Sequence, residues 1–300
     1  MKLSFAQKLQ AALSAVKYRN EIKLLLIKRY WQTHKLWKVE VQGVAALFDT
    51  SDFFSNICFW QYNEGSEAVV CEILARLIKN SRVYADVGGH LGLFSVLPAL
   101  FNPSCKIFYF EGDRTIRPIF IKNMKLNNLS EDRITIVNAV VKDYEGKIEY
   151  RPHPYSFLAM HAAKEDIDVY DLKCPAEVIS LDNYFQQQGM DPDLLKIDVD
   201  GDEIFVLRGM SRMLKESKPD LLLEMHPPLL PERGSSASEV CSILRGLGYR
   251  FFLIPDFRDA KMTQLTEVPD LDNPNPNYMI FVTCRDQYKM DSALREFVRK

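Results

Sequence analysis

The sequence predicts an α/β fold: a seven-stranded, mostly parallel sheet with helices on both faces, preceded by an N-terminal helical cap. Three observations carry this. From residue 82 onward, strand-length apolar runs alternate with helix-length segments, the pattern of a parallel sheet covered on two sides. One of those runs, Val83–Asp86, passes directly into a glycine-rich turn, at the strand end where open α/β sheets bind ligands. The chain has 300 residues, 47% apolar and 26% charged, an ordinary globular mixture with length for one large domain and an appendage.

Residues 4–31 read as helical, because Phe5, Leu9, Ala12, Leu13 and Val16 recur at three- and four-residue spacing before a denser apolar run at 22–27. Residues 37–60 read as one or two short strands around a turn near Asp49 to Asp52, and 64–79 as a helix leading into the core. Residues 1–79 together form the cap; 80–300 form the main domain. The expected strands are Val83–Asp86, Lys106–Glu111, Ile134–Asn138, Leu194–Asp198, Asp220–Met225, Tyr249–Ile254 and Tyr278–Cys284. Pro98 predicts a kink or early end to the helix after the glycine turn, and Asn102-Pro103 a stop. Ser236 with Glu239 forms a capping box before Val240, Ile243, Leu244 and Leu247, and Gly248 suits the exit. Residues 144–181 break the alternation, and Glu145-Gly146 with Lys147–Tyr150 predicts an inserted hairpin that serves as a substrate lid.

Charge and cysteine content narrow the function. The net charge is −2, but residues 1–40 carry +7 and the remainder −9. A mildly acidic body argues against a nucleic-acid enzyme, which would show a basic stripe. The basic N-terminal helix can lie on an anionic membrane surface, or cap the domain or a dimer partner. The six cysteines are scattered with no CxxC pair, which reads as reduced, mostly buried thiols. Gln7, Lys8 and Gln10 interrupt any hydrophobic signal core, so the expected compartment is the cytoplasm.

The chemistry concentrates at Asp86-Val87-Gly88-Gly89-His90-Leu91-Gly92. Glycines after a buried strand permit positive φ and close approach of a ligand, and an adenosine-type cofactor is the natural guest. Asp86 is placed to accept from an ammonium or to order water beside it. Glu111 ends the next strand, where a carboxylate can take both ribose hydroxyls. NAD would also suit Glu111, making an NAD-dependent oxidoreductase or epimerase the competing reading. G-G-x-x-G lacks the spacing used against a pyrophosphate, and Asp86 would repel one.

These stretches resemble the FkbM-type methyltransferases across about residues 60–260 and in the right order. The matches are Asp86 to Ser95, Phe110-Glu111, Asn123 and Asn127, Val137-Asn138-Ala139-Val140, Leu181-Asp182, Leu195 to Glu203, Val206-Leu207-Arg208-Gly209, and Leu223-Glu224-Met225-His226. The resemblance implies a Rossmann-like class I methyltransferase that uses S-adenosylmethionine. It further implies methylation of a hydroxyl on a sugar, glycan or natural product, with Asn138 and Ala139 near the adenine. Departures are His90 where the family usually has Asn, Gly89 where Ala is common, Gly112 where Pro often follows, and Asp200 and Asp202 in a stretch usually written Glu-Gly-Ala.

Methyl transfer to an alcohol needs in-line approach and removal of the hydroxyl proton. Asp198, Asp200 and His226, at the ends of two adjacent strands, are the catalytic candidates, with His226 as general base oriented by a carboxylate. With Glu224 they also form an oxygen-rich set able to bind Mg²⁺ and acidify a hydroxyl. Glu203 and Asp200 are open to a plainer reading as charges at a helix start. A scaffold that keeps the cofactor pocket without turnover is the remaining alternative. His153 and His161, in the insertion, are weaker candidates for substrate contact.

Overall fold

The computed structural model describes residues 36–49, 68–150, 173–254, 265–269, 277–285 and 294. The predicted helix at 4–31, the turn at 50–52, and His153 and His161 lie outside the described residues.

The chain enters through a hairpin, β1 (Leu36–Val41) and β2 (Val44–Asp49), paired antiparallel from Leu36↔Asp49 to Val41↔Val44. Its turn is Gln42-Gly43, both at positive φ (49° and 79°), as a two-residue hairpin loop that follows the strand twist requires. This turn is additional to the one expected near Asp49 to Asp52, most of which lies outside the described residues. Helix α1 (Ala68–Leu77) and a single 3₁₀ turn lead into β3 (Val83–Val87), whose five residues are all buried.

Then follow α2 (Leu93–Phe101), β4 (Lys106–Phe110), α3 (Arg117–Leu126), β5 (Ile134–Val137), β6 (Ala139–Val141), β7 (Gly146–Tyr150) and β8 (Cys174–Ile179). Pro98 does not end α2, which continues to Phe101 and a C-cap at Asn102. The missing N–H costs one intrahelical bond, and the surrounding core burial holds the helix together. Next come α4 (Leu181–Gln188), β9 (Leu194–Ile197), α5 (Glu203–Arg208), α6 (Ser211–Glu216), β10 (Asp220–Met225), α7 (Ala237–Gly246), β11 (Arg250–Ile254), β12 (Thr266–Val268) and β13 (Tyr278–Thr283).

The main sheet runs β12-β11-β13-β10-β9-β3-β4-β5. All seven expected strands are in it, with β12 added at the edge. The five from β10 to β5 are mutually parallel, and β13 lies antiparallel between β10 and β11. A second sheet joins β6, β8 and β7, with β7 and β8 antiparallel and β6 parallel to β8. Strand pleat sends alternate residues to opposite faces. Tyr84, Ile107 and Tyr109 pack with α1, α2, α3 and the hairpin. Ala85, Phe108 and Phe110 pack with α4 to α7. The hairpin therefore shares the core of the main domain: Trp37, Val41, Ala46 and Phe48 are buried in it.

Among the described residues no helix is long and apolar enough to cross a membrane, and five cysteines are outside any disulfide.

Candidate active site

The strand order reverses beside β3. The chain builds β3, β4 and β5 outward on one side, then returns to the other side of β3 with β9 and β10. Such a reversal opens a crevice at the carboxyl ends of the two flanking strands. The glycine turn leaves β3 on one wall, and Asp198 follows β9 on the other. The backbone N–H of Asp198 donates to the Val87 carbonyl at 3.0 Å, so the two walls are joined.

In the turn, Gly88 and Gly92 have φ of 81° and 88°, and His90 has φ of 46°. His is among the few side chains that tolerate this region, as Asn is. The glycines are required by the protein itself rather than by a ligand's approach. A Cβ on Gly88 would lie 1.8 Å from the Asp198 carbonyl oxygen, and one on Gly92 would lie 2.2 Å from the Phe120 ring. A Cβ on Gly89 would meet the Tyr109 ring at 2.4 Å. Tyr109 is held on both sides: it stacks on Phe120 with centroids 3.9 Å apart, and its hydroxyl donates to the His90 carbonyl at 2.5 Å.

Asp86 lies beneath this turn, fully buried. Ser95 Oγ donates to its Oδ2 at 2.7 Å, while its Oδ1 has no hydrogen-bond partner. Burial pushes the Asp86 carboxyl up to about 6, with the Lys196 charge opposing. Glu111 follows β4 and accepts from the backbone N–H of His90 at 3.0 Å and of Asp113 at 2.8 Å. Burial raises it to about 7 despite these bonds. Its own N–H donates to Val137 at 3.1 Å, which sets it beside Asn138, whose buried Nδ2 has no partner. Ala139 is buried at the start of β6. An orphaned acceptor, an orphaned donor and a carboxylate with spare lone pairs thus lie at the carboxyl ends of the neighbouring strands β3, β4 and β5. That set fits a zwitterionic, ribose-bearing cofactor.

The second cluster gathers around His226, which is 3% exposed at the end of β10. Its Nδ1 lies 2.6 Å from Oε1 of Glu203. Its Nε2 lies 3.6 Å from Glu224, 3.6 Å from Asp200 and 3.8 Å from Asp198 Oδ1. Burial disfavours the imidazolium, but the Glu203 bond and the charges of Asp198, Glu203 and Glu224 outweigh it and raise His226 to about 9. Lys196, 1% exposed, sits over the Phe94 ring and holds Asp198 Oδ2 at 2.9 Å. Burial works against the Asp198 charge, yet Lys196 and then His226 keep its carboxyl below the usual range. Asp200 is the exposed member, and its φ of 49° turns the chain sharply before α5.

The predicted residues therefore fall into two groups on one crevice: Asp86, Gly88, Gly89, His90, Gly92, Glu111, Asn138 and Ala139 around the turn, and Asp198, Asp200 and His226 across from it. Sequence reasoning gave no role to Ser95, Tyr109, Lys196 or Asp113, a buried acid whose Oδ2 lacks a partner. Glu203 was legible only as a helix-start charge, although its place two residues after Gly201 and 23 before His226 hides a direct bond. An acid that is wholly buried at a helix start would have been the signal, and burial is not readable there.

A sequence profile described as Methyltransferase FkbM domain matches residues 86–251, more than half of the chain. No curated protein matches the sequence. Among solved structures, methyltransferase FkbM from Methylobacillus flagellatus is 13% identical with a TM-score of 0.44, over 76% of this chain and 52% of its own. The chain thus spans about half the length of that relative. A SAM-dependent methyltransferase from Agrobacterium tumefaciens is 11% identical with a TM-score of 0.46, over 84% and 71%. Precorrin-6y C5,15-methyltransferase from Geobacter metallireducens is 14% identical with a TM-score of 0.39, over 73% and 87%.

Proposed function

Because the chain belongs to the FkbM methyltransferase domain family, we propose that it transfers the methyl group of S-adenosylmethionine to a hydroxyl oxygen of a sugar, glycan or natural product. The observation that carries this reading is the Asp198-to-Val87 bond, which sets the acid cluster against the strand that feeds the glycine turn. S-adenosylmethionine brings an electrophilic methyl group on a positively charged sulfur. Glu111 would accept the ribose hydroxyls, Asp86 the amino group or an ordered water, and Asn138 and Ala139 would border the adenine. Across the crevice, Asp198, Asp200 and His226 would receive the acceptor. Asp200, the exposed carboxylate, would take its proton in place of the expected base His226, whose ring is buried.

The −9 charge beyond residue 40 supports a small-molecule or glycan acceptor over nucleic acid. The six scattered cysteines, with no CxxC pair, support a reducing compartment, the cytoplasm. Mg²⁺ assistance at the acid cluster is compatible with the same reading. Isothermal titration with S-adenosylhomocysteine tests the cofactor, with Glu111→Ala expected to weaken binding at least tenfold. Binding of NAD in its place would overturn the reading in favour of an oxidoreductase or epimerase. Methyl transfer from labelled S-adenosylmethionine to hydroxylated acceptors then tests turnover. Cofactor binding without transfer to any of them would favour a non-catalytic scaffold.

A further inference from the structure

We infer that Asp198, Glu224 and His226 bind a divalent first-row metal ion at the crevice, with the imidazole as one of its ligands. One carboxylate oxygen from each acid and a ring nitrogen of His226 all lie within 4.8 Å of one another. Ligand atoms about 2.0–2.2 Å from a shared ion stand roughly 3–3.6 Å apart, and Nε2 is 3.6 Å from Glu224 and 3.8 Å from Asp198.

The state of His226 is the independent observation. Its ring is 3% exposed, and Nε2 lies beyond hydrogen-bond length from every carboxylate around it. The Glu224 and Asp198 oxygens that share the 4.8 Å group with the ring nitrogen both face Nε2, at 3.6 and 3.8 Å. The other nitrogen explains how the ring is aimed: Glu203, itself fully buried, holds Nδ1 at 2.6 Å. Metal-bound histidines are oriented in this way by a carboxylate on the second nitrogen, which leaves the first as a lone-pair donor. Lys196 does the same for Asp198, occupying Oδ2 and leaving Oδ1 toward His226. Helix charges alone would not bury Glu203, Glu224 and His226 together.

One imidazole with two carboxylates suits Mn²⁺, Fe²⁺ or Zn²⁺ better than Mg²⁺, which prefers all-oxygen shells. Three protein ligands leave positions open toward the crevice, where an acceptor hydroxyl bound to the ion would be acidified. That catalytic role rests on the methyltransferase reading; the binding does not.

The test is titration of the full chain with Mn²⁺ under electron paramagnetic resonance, with spin-echo detection of nitrogen coupling. We expect about one Mn²⁺ per chain and a nitrogen modulation in the wild type. Asp198→Asn and Glu224→Gln should weaken binding at least tenfold, His226→Asn should remove the modulation, and Glu40→Gln should change neither. A wild-type protein that leaves the aqueous Mn²⁺ signal intact, or binds without nitrogen coupling, would overturn the site without reference to any variant. So would modulation that survives in His226→Asn. S-adenosylhomocysteine calorimetry on the same samples separates the two readings: cofactor binding without Mn²⁺ sinks the metal site alone, and Mn²⁺ binding without cofactor sinks the methyl-transfer reading alone.

Discussion

Gly89 and Tyr109 occupy the same space in two different elements. The family commonly carries Ala where this chain has Gly89, and the Tyr109 ring lies 2.4 Å from where that methyl would be. Tyr109 cannot swing away, because Phe120 stacks on it and its hydroxyl is bonded to His90. Gly89→Ala should therefore destabilise the fold by about 1–3 kcal/mol through overpacking. Tyr109→Leu in the same chain should recover much of that loss. A double-mutant cycle by urea unfolding measures it, and additive costs would show that the two side chains do not compete. Glu111 makes a second residue-scale case. Burial raises its pKa to about 7, and ribose hydroxyls prefer the ionised form. Affinity for S-adenosylhomocysteine should rise as pH goes from 5.5 to 8, with a measurable proton release on binding at pH 6.5. Calorimetry in two buffers of different ionisation enthalpy checks the release. Glu111→Gln should show a weaker dependence, set by Asp86, which burial pushes up to about 6.

At the scale of elements, two asparagines four residues apart on α3 hold the edge of the N-terminal hairpin. Asn127 accepts from the Leu47 N–H and donates to the Leu47 carbonyl, each at 2.7 Å. Asn123 accepts from the Asp49 N–H at 2.8 Å and donates to the Leu91 carbonyl at 2.9 Å. Side-chain amides here replace a neighbouring strand for β2. They also connect the hairpin to the residue just before the last glycine of the turn. Asn127→Ala should cost about 1–3 kcal/mol, since it strands two backbone groups, and should abolish the slow hydrogen exchange of the Leu47 amide. Retained protection there would mean that apolar burial alone holds the hairpin. The asparagines were visible in the sequence as matches to a family. Their role was not, because their partners are 80 and 74 residues away in the chain. The seven main strands were legible, being continuous apolar runs flanked by turn residues. Strand β12 was not, since its three residues are mostly exposed and show no alternation.

For the whole molecule, three buried acids set the response to pH. Burial pushes Asp86 and Asp220 up to about 6 and Glu111 to about 7. In an unfolded chain these carboxyls titrate near pH 4. Between those limits the folded state holds more protons than the unfolded one. Their contribution to stability is thus fully present below about pH 4 and is lost as pH rises through 6 to 7. The melting temperature should fall between pH 5 and pH 8, and Glu111→Gln should lose less over that range than the wild type. A wild-type melting temperature that rises with pH would contradict the sign.

Composition, apolar periodicity and turn chemistry were enough to place the strands of an α/β sheet, the glycine turn after the first of them and the acids at their carboxyl ends. Each of those depends on neighbours within a few residues, where local sterics and burial of one face leave few choices. Only the tertiary structure decided that the glycines answer to Tyr109, Phe120 and the Asp198 carbonyl, that Glu203 aims His226, and that Lys196 holds one oxygen of Asp198. Those pairings arise where the strand order reverses and brings β3, β9 and β10 side by side. Contacts made across that reversal depend on side-chain direction and burial between distant segments, which local sequence does not encode.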